Sequence, residues 1–310
     1  MTDRPRTRIT HLRHVGIAAP EFQHAAEFYR TAWGLTQVAE DGGVAFFGTP
    51  GSPENYILRL RKDTSKRLDL VAFGVGTAND VDALAEELAT SDIRLDREPG
   101  KLDTPGGGYG FRFFDLDGRL IEISSDVEER PFRPLEARES IPRKLSHVVF
   151  NSTDVLATMA FYEKHLGLRL SDWLSNQMCF LRSGADHHIL AIAQGPHVAL
   201  NHVSFEMRGL DEYMRGTGRL LRSGSEMIWG PGRHGPGDNT FSYFFDPYGN
   251  VMEYTTELEK IEDEDSWEPR VFPTTPENSD QWGTANSIHE KMLPAQFNDP
   301  DQGLWQPSPI

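Results

Sequence analysis

Residues 110–122 read GFRFFDLDGRLIE, and residues 240–253 read TFSYFFDPYGNVME, so the second stretch repeats the first at an offset of 131 residues. Further landmarks recur 133 residues apart: Leu12-Arg13-His14-Val15 as Leu145-Ser146-His147-Val148, Phe28-Tyr29 as Phe161-Tyr162, and Gly34-Leu35 as Gly167-Leu168. Because these landmarks recur in one order at nearly one spacing, we predict that the chain is a duplicated domain.

Helices and strands alternate in a fixed order within each copy. Asp154 is placed to cap a helix that stops at Gly167, and Asn79-Asp80 is placed to cap another. Short runs rich in Val, Ile, Phe and Tyr lie between the helices and predict strands. Such runs lie at 44–48, 56–61, 177–181 and 188–193. The pattern predicts an α+β fold of four βαβββ units between residues 10 and 256.

The same pattern divides the chain into four predicted segments. They are an N-terminal module pair over 1–126, a proline-bearing linker over 127–143, a C-terminal module pair over 144–256 and an acidic tail over 257–310. The tail carries Trp267, Trp282 and Trp305. Disordered segments are poor in aromatic residues, so we expect this tail to dock on the body of the protein.

Composition excludes several classes of protein. The 310 residues include 31 basic and 47 acidic side chains, a net charge of −16, which disfavours nucleic acid and anionic membranes as partners. Cys179 is the only cysteine, so an intrachain disulfide, a thiolate zinc cluster and an iron–sulfur site are excluded. With no apolar run long enough to span a membrane, these features predict a cytoplasmic protein.

A metal site is predicted in the second copy only. His147, His202 and Glu253 stand on three predicted strands, and two histidines with one carboxylate form a ligand set that leaves metal positions open. The matching residues of the first copy are His14, Leu70 and Glu122, and leucine cannot ligate a metal. A single histidine on a strand is usually a core or surface residue. We therefore interpret the first copy as vestigial and without metal.

Three more polar residues lie near the predicted ligands in sequence. His234 stands in the glycine-rich loop 230–239, which can hold an imidazole over an open site. Tyr243 lies on the strand that follows, and His188 lies near the start of another strand. An imidazole at His188 could move protons near neutral pH, whereas exposure to solvent is the alternative for each residue.

The chain resembles the type I extradiol ring-cleavage dioxygenases, which belong to the vicinal oxygen chelate superfamily. The resemblance rests on the spacing His234-x8-Tyr243-x2-Asp246-Pro247-x-Gly249-x3-Glu253 and covers residues 10–256. Around Asp280-Gln281-Trp282-Gly283 the tail is similar to the homoprotocatechuate 2,3-dioxygenase and catechol 2,3-dioxygenase branch. The family's fold implies that the four modules form two half-open barrels.

The resemblance also implies a chemistry. Fe(II), or alternatively Mn(II), would be bound by His147, His202 and Glu253, and O2 would be the co-substrate. Both oxygen atoms would enter a catechol ring beside its hydroxyls, giving a muconic semialdehyde-type product. His188 would be the acid/base residue, while His234 and Tyr243 would hydrogen-bond to substrate oxygens. The family further implies a homo-oligomer, a dimer or a tetramer.

Departures from the family concern the substrate. The homoprotocatechuate branch holds its substrate carboxylate with arginines, where this chain has Trp229 and Ser279, and apolar Val149 stands where that branch has an amide. An unpaired carboxylate in an apolar pocket is costly. With Trp229, Val149 and Phe180 as candidate substrate-binding residues, we expect a catechol with an apolar substituent.

Two other functions remain open from the sequence. The superfamily also contains metal-dependent isomerases and lyases of the glyoxalase type, and metal-free modules that bind ligands. The isomerases usually take ligands from two modules, and Leu70 argues against such a site. A metal-free module would not require the triad together with His188, His234 and Tyr243.

Overall fold

The computed structural model describes residues 9–285 and 292–309. Strands dominate these ranges, and the helices are short. In chain order the elements are β1 (His11–Ala19), α1 (Phe22–Thr31), β2 (Thr36–Asp41), β3 (Val44–Gly48), β4 (Leu58–Lys62), β5 (Arg67–Gly74), α2 (Ala78–Thr90), β6 (Leu95–Lys101), β7 (Tyr109–Phe114), β8 (Leu120–Ser125), β9 (Lys144–Ser152), α3 (Val155–Leu166), β10 (Arg169–Leu174), β11 (Met178–Arg182), β12 (Leu190–Gln194), β13 (Ala199–Glu206), α4 (Leu210–Arg222), β14 (Met227–Arg233), β15 (Thr240–Phe245), β16 (Val251–Thr256), β17 (Arg270–Phe272), α5 (Pro276–Ser279) and α6 (Met292–Phe297).

Two open sheets are built from these strands. The first has the order β2-β3-β4-β1-β5-β8-β7-β6, and the second has the order β14-β15-β16-β13-β9-β12-β11-β10-β17. The sequence of elements from β1 to β16 repeats βαβββ four times, which confirms the predicted modules. Neither order closes on itself, which agrees with the two half-open barrels that the sequence predicts.

Local capping explains where the helices begin and end. Asp154 accepts a hydrogen bond from the Ala157 amide at 3.0 Å, and Gly167 closes α3 at φ 68°, as predicted. The predicted cap of α2 at Asn79-Asp80 is wrong. Thr77 is the cap, because it is still extended and its hydroxyl accepts from the Asp80 amide, which places Asp80 inside the first turn.

The repeated landmarks join the two halves of the molecule to each other. The Tyr29 hydroxyl donates to Asp246 at 2.8 Å, and the Tyr162 hydroxyl donates to Asp115 at the same distance. Each tyrosine belongs to one half and each aspartate to the other, and all four side chains are buried. The duplicated motif therefore forms two equivalent hydrogen bonds across a pseudo-two-fold interface.

The segment after β16 packs on both halves. It adds β17 in parallel to β10 of the second sheet. Farther along, the Trp305 amide donates to the Gly118 carbonyl at 2.8 Å, and its ring packs on Phe114 in the first half. Trp305 keeps 47% of its surface exposed, so docking buries it only in part. Among the described residues, no helix has the length and apolarity to cross a membrane.

Candidate metal centre

Strand register brings His147, His202 and Glu253 together. Ser204 of β13 lies opposite His147 of β9 and beside Glu253 of β16. His202 precedes Ser204 by two residues on the same strand, so its side chain points to the same face. One ligand atom from each of the three residues lies within 4.8 Å of the others. The structure therefore assembles the predicted triad on one face of the second sheet.

The donor set fits a divalent cation. His202 Nε2 and both carboxylate oxygens of Glu253 are buried without a hydrogen-bond partner among the described residues. His147 Nε2 and His202 Nε2 lie 3.0 Å and 3.4 Å from Glu253 Oε2. Unpaired buried polar atoms are costly, and a cation bound between them would remove that cost. Two imidazoles and one carboxylate are the ligands that Fe(II) and Mn(II) accept.

Neighbouring polar groups hold the ligands in the required protonation states. The Asn201 side-chain oxygen accepts from His202 Nδ1–H at 2.7 Å, which leaves Nε2 as the free lone pair. Burial lowers the pKa of His202, so its imidazole is neutral. Burial alone would raise the pKa of Glu253, but the adjacent His147 and His202 outweigh it and hold that pKa well below its usual range.

His188 lies beside the triad. Its ring centroid is 4.3 Å from that of His147 and 5.0 Å from that of Phe180. Burial, followed by the nearby histidines, lowers the pKa of His188 well below its ordinary value. The side chain is therefore a neutral imidazole at the edge of the metal centre, where it can accept a proton.

His234 and Tyr243 form a second polar pair on the cavity wall. Tyr243 lies directly opposite Glu253 across the β15–β16 ladder, so their side chains share a face. His234 Nε2 lies 3.0 Å from the Tyr243 hydroxyl, and Nδ1 lies 3.1 Å from the Ser279 carbonyl. Burial lowers the pKa of His234 to about 4, so the neutral ring donates to Ser279 and accepts from Tyr243.

A cavity of about 740 Å³ opens over these residues. No lysine or arginine lies among the described residues that line it. Apolar side chains form much of its wall, including the predicted Val149, Phe180 and Trp229 together with Leu174, Met178 and Met292. The Trp229 indole N–H is taken by the Ala285 carbonyl at 2.5 Å, so Trp229 offers the cavity an apolar face.

Comparison with known proteins identifies the family. The model of the Glyoxalase/Bleomycin resistance protein/Dioxygenase superfamily matches residues 11–123 and 144–254, which span both sheets. The chain belongs to this superfamily. A solved structure, the Mn(II)-bound glyoxalase from Novosphingobium aromaticivorans, is 41% identical with a TM-score of 0.92, covering 97% of this chain and 98% of that chain.

Curated relatives of this superfamily member include dioxygenases. Metapyrocatechase 2 of Cupriavidus necator is 27% identical over 300 residues, covering 90% of this chain and 91% of that protein. The manganese-dependent 2,3-dihydroxybiphenyl 1,2-dioxygenase of Geobacillus genomosp. 3 is 26% identical over 281 residues, covering 83% of this chain and 87% of that protein. The match confirms the superfamily predicted from the sequence, and these relatives support its extradiol dioxygenase branch.

The first half of this superfamily member has filled its equivalent site. Arg112 occupies the position that Tyr243 has in the second half, and its guanidinium contacts Glu122 at 2.8 Å. Tyr56 packs on the His14 ring at 4.5 Å between centroids. The space left beside His14 and Glu122 is about 10 Å³, which is room for about one water molecule.

Sequence reasoning missed several groups around the centre. Asn201 accepts a hydrogen bond from His202, and Asn278 brings the tail to the cavity beside Ser279, which the sequence had already placed near the substrate. Asp172 and His187 form a buried hydrogen bond behind His188. The adjacency of Asn201 to His202 was a usable signal, because metal-ligating histidines usually donate their second N–H to a neighbouring group. The contacts of the tail with the cavity join segments far apart in the chain.

Proposed function

We propose that this chain is a type I extradiol dioxygenase that opens a catechol ring beside its hydroxyls. The observation that carries the proposal is the buried triad of His147, His202 and Glu253, which faces a large cavity together with His188. Bound Fe(II) or Mn(II) would acidify the catechol hydroxyls and bring the ring together with O2. Metapyrocatechase 2 and the dihydroxybiphenyl dioxygenase support this reaction class.

The protein's own residues supply the remaining steps. His188 is neutral and lines the cavity, so we propose that it accepts a catechol hydroxyl proton and returns one during ring opening. Tyr243 and His234 present hydrogen-bonding groups beside Glu253, where they would orient the substrate's oxygen atoms. A substrate packed against the apolar part of the wall would displace water, which would protect reactive oxygen intermediates from side reactions.

The cavity favours an uncharged substrate. A carboxylate there would have no lysine or arginine partner among the described lining residues, and it would lie near the Glu253 carboxylate. Arg182 is held by Glu264 at 2.8 Å, and Arg233 pairs with Glu257 outside the cavity lining. We therefore propose a catechol with an alkyl or aryl substituent that packs against Phe180 and Trp229.

Isomerisation of the glyoxalase type is the second candidate function. The 41% identical solved structure is that of a glyoxalase, and its bound Mn(II) suits the same donor set. Such a reaction consumes no oxygen, so an oxygen electrode separates the two functions. His188, His234 and Tyr243 around one triad are the observations that favour the dioxygenase.

The test is anaerobic loading of the purified protein with Fe(II) or Mn(II), followed by neutral and carboxylated catechols and air. We expect oxygen uptake and a yellow ring-opened product, with the higher kcat/KM for the neutral catechols. Glu253→Ala should abolish both signals, whereas His14→Ala in the filled first site should retain them. Isomerisation of a hemithioacetal without oxygen uptake from any catechol would contradict the proposal.

We further expect a cytoplasmic homo-oligomer, a dimer or a tetramer. The net charge of −16 and the single cysteine suit the cytoplasm. Light scattering on the eluted protein would measure the oligomeric state, and cell fractionation would measure the location.

A further inference from the structure

A chain of hydrogen bonds leads from His188 away from the metal centre. His188 Nδ1 lies 2.9 Å from His187 Nδ1, and His187 Nε2 lies 2.8 Å from Asp172 Oδ2. His187 and Asp172 are completely buried, and His188 is 2% exposed. Since two Nδ1 atoms face each other, one of them must donate a proton and the other must accept it.

Asp172 decides the direction of this chain. Its carboxylate also accepts from the Arg270 backbone amide at 2.7 Å and from the Arg270 guanidinium at 2.6 Å. Burial alone would raise the pKa of Asp172, but the bonds from His187 and Arg270 outweigh it and lower that pKa. All partners of the ionised carboxylate are donors, so His187 carries a proton on Nε2, and in the neutral ring Nδ1 is then the acceptor.

The surroundings fix the His187 ring in this orientation. Arg270 also binds Glu259 at 2.5 Å, so its guanidinium occupies the position between two carboxylates that a cation would otherwise take. The Trp267 ring packs edge-on against the His187 ring, with 6.1 Å between the ring centroids, and the Arg270 guanidinium lies over the Trp267 ring. A Cβ atom at Gly237 would lie 3.1 Å from His187 Nδ1, so the loop closes tightly over the imidazole.

We propose that His187, held by Asp172, which in turn binds Arg270 of the tail, is a positioning residue that fixes the tautomer of His188. His187 Nδ1 accepts, so His188 donates from Nδ1 and keeps an unprotonated Nε2 on the opposite side of its ring. His188 lines the cavity, so its unprotonated Nε2 is the nitrogen that can accept a proton from a bound substrate. The inference rests on the proposed dioxygenase function, but the tautomer itself can be measured without turnover.

The first experiment observes the tautomer directly. The full chain, labelled with 15N-histidine and loaded with diamagnetic Zn(II), is studied by long-range 1H–15N NMR spectra, which distinguish protonated from unprotonated ring nitrogens. We expect His188 to carry its proton on Nδ1 in the wild type and in His187→Gln. The introduced glutamine can donate to Asp172 and offer its oxygen to His188, whereas the leucine of His187→Leu can do neither, so the tautomers should then mix. A wild-type His188 protonated on Nε2 would overturn the proposal.

The second experiment measures turnover of the Fe(II)-loaded variants. We expect His187→Leu to lower kcat by roughly 10- to 100-fold with metal content and KM nearly unchanged, and His187→Gln to restore most of the loss. His165→Leu, which removes a buried imidazole from α3, is the control and should leave kcat unchanged. Equal kcat values for the Gln and Leu variants would refute the positioning role. An inactive wild type with the expected tautomer would contradict the dioxygenase function alone.

Discussion

Matched substitutions of two glutamates should separate metal binding from stability. Glu253 and Glu122 occupy equivalent strand positions in the two halves, and both are buried. Glu253 faces two imidazoles, whereas Glu122 contacts the Arg112 guanidinium at 2.8 Å. A glutamine at either position keeps the shape of the side chain and removes its charge. Glu253→Gln therefore removes a proposed metal ligand, whereas Glu122→Gln leaves the buried Arg112 guanidinium without its counterion.

The magnitudes follow from these partners. Removing one member of a buried ion pair costs about 3–5 kcal/mol, and Arg112 is only 3% exposed, so solvent cannot replace the lost carboxylate. At about 2–4 °C per kcal/mol, Glu122→Gln should lower Tm by roughly 6–20 °C. Glu253→Gln should reduce bound metal to below about a tenth of the wild-type content, because two ligands remain where three are needed.

Two measurements on the same preparations test this reasoning. Elemental analysis gives the metal content per chain, and calorimetry of the metal-free proteins gives Tm without a contribution from metal binding. We expect Glu122→Gln to keep its metal and lose stability, and Glu253→Gln to lose its metal while the metal-free Tm stays near that of the wild type. The assignment of the metal to the second half would be refuted if Glu122→Gln lost the metal and Glu253→Gln kept it.

The remaining predictions concern the acid/base residue, the substrate and the tail. His188→Asn should keep metal and catechol binding but lower kcat by about 10²- to 10⁴-fold, and unchanged turnover between pH 6 and 9 would exclude His188 from the mechanism. Trp229→Arg should shift the kcat/KM ratio toward carboxylated catechols by about tenfold, or about 1.4 kcal/mol, and an unchanged ratio in a folded variant would show that Trp229 does not select the substrate. Asp301→Asn should raise Tm more at pH 8 than at pH 4.5. Burial raises the pKa of Asp301 to about 6, so ionisation of its carboxyl group destabilises the fold as pH rises from about 4 to 6. Equal increases in Tm at both pH values would contradict this.

The sequence by itself predicted the duplicated architecture and the three residues of the candidate metal triad, which the structure brings together. Repeated landmarks and the alternation of strands with helices are local patterns, and strand periodicity fixes which side chains share a face. Comparing the two copies predicted His147, His202 and Glu253 as candidate ligands without any structure, because a ligand set must be complete to bind metal. Leu70 stands where the first copy would need its second histidine, so the same reasoning predicts no metal there.

Only the tertiary structure decided what surrounds the triad. The sequence repeats Tyr29 as Tyr162, but nothing local shows that each hydroxyl bonds to an aspartate of the opposite half. The filling of the first site by Arg112 depends on its register with Glu122 across two strands. Arg270, which binds Asp172 behind His187, comes from a tail strand 98 residues later in the chain. Such contacts join distant segments, and their partners are set by long-range packing, which no local periodicity records.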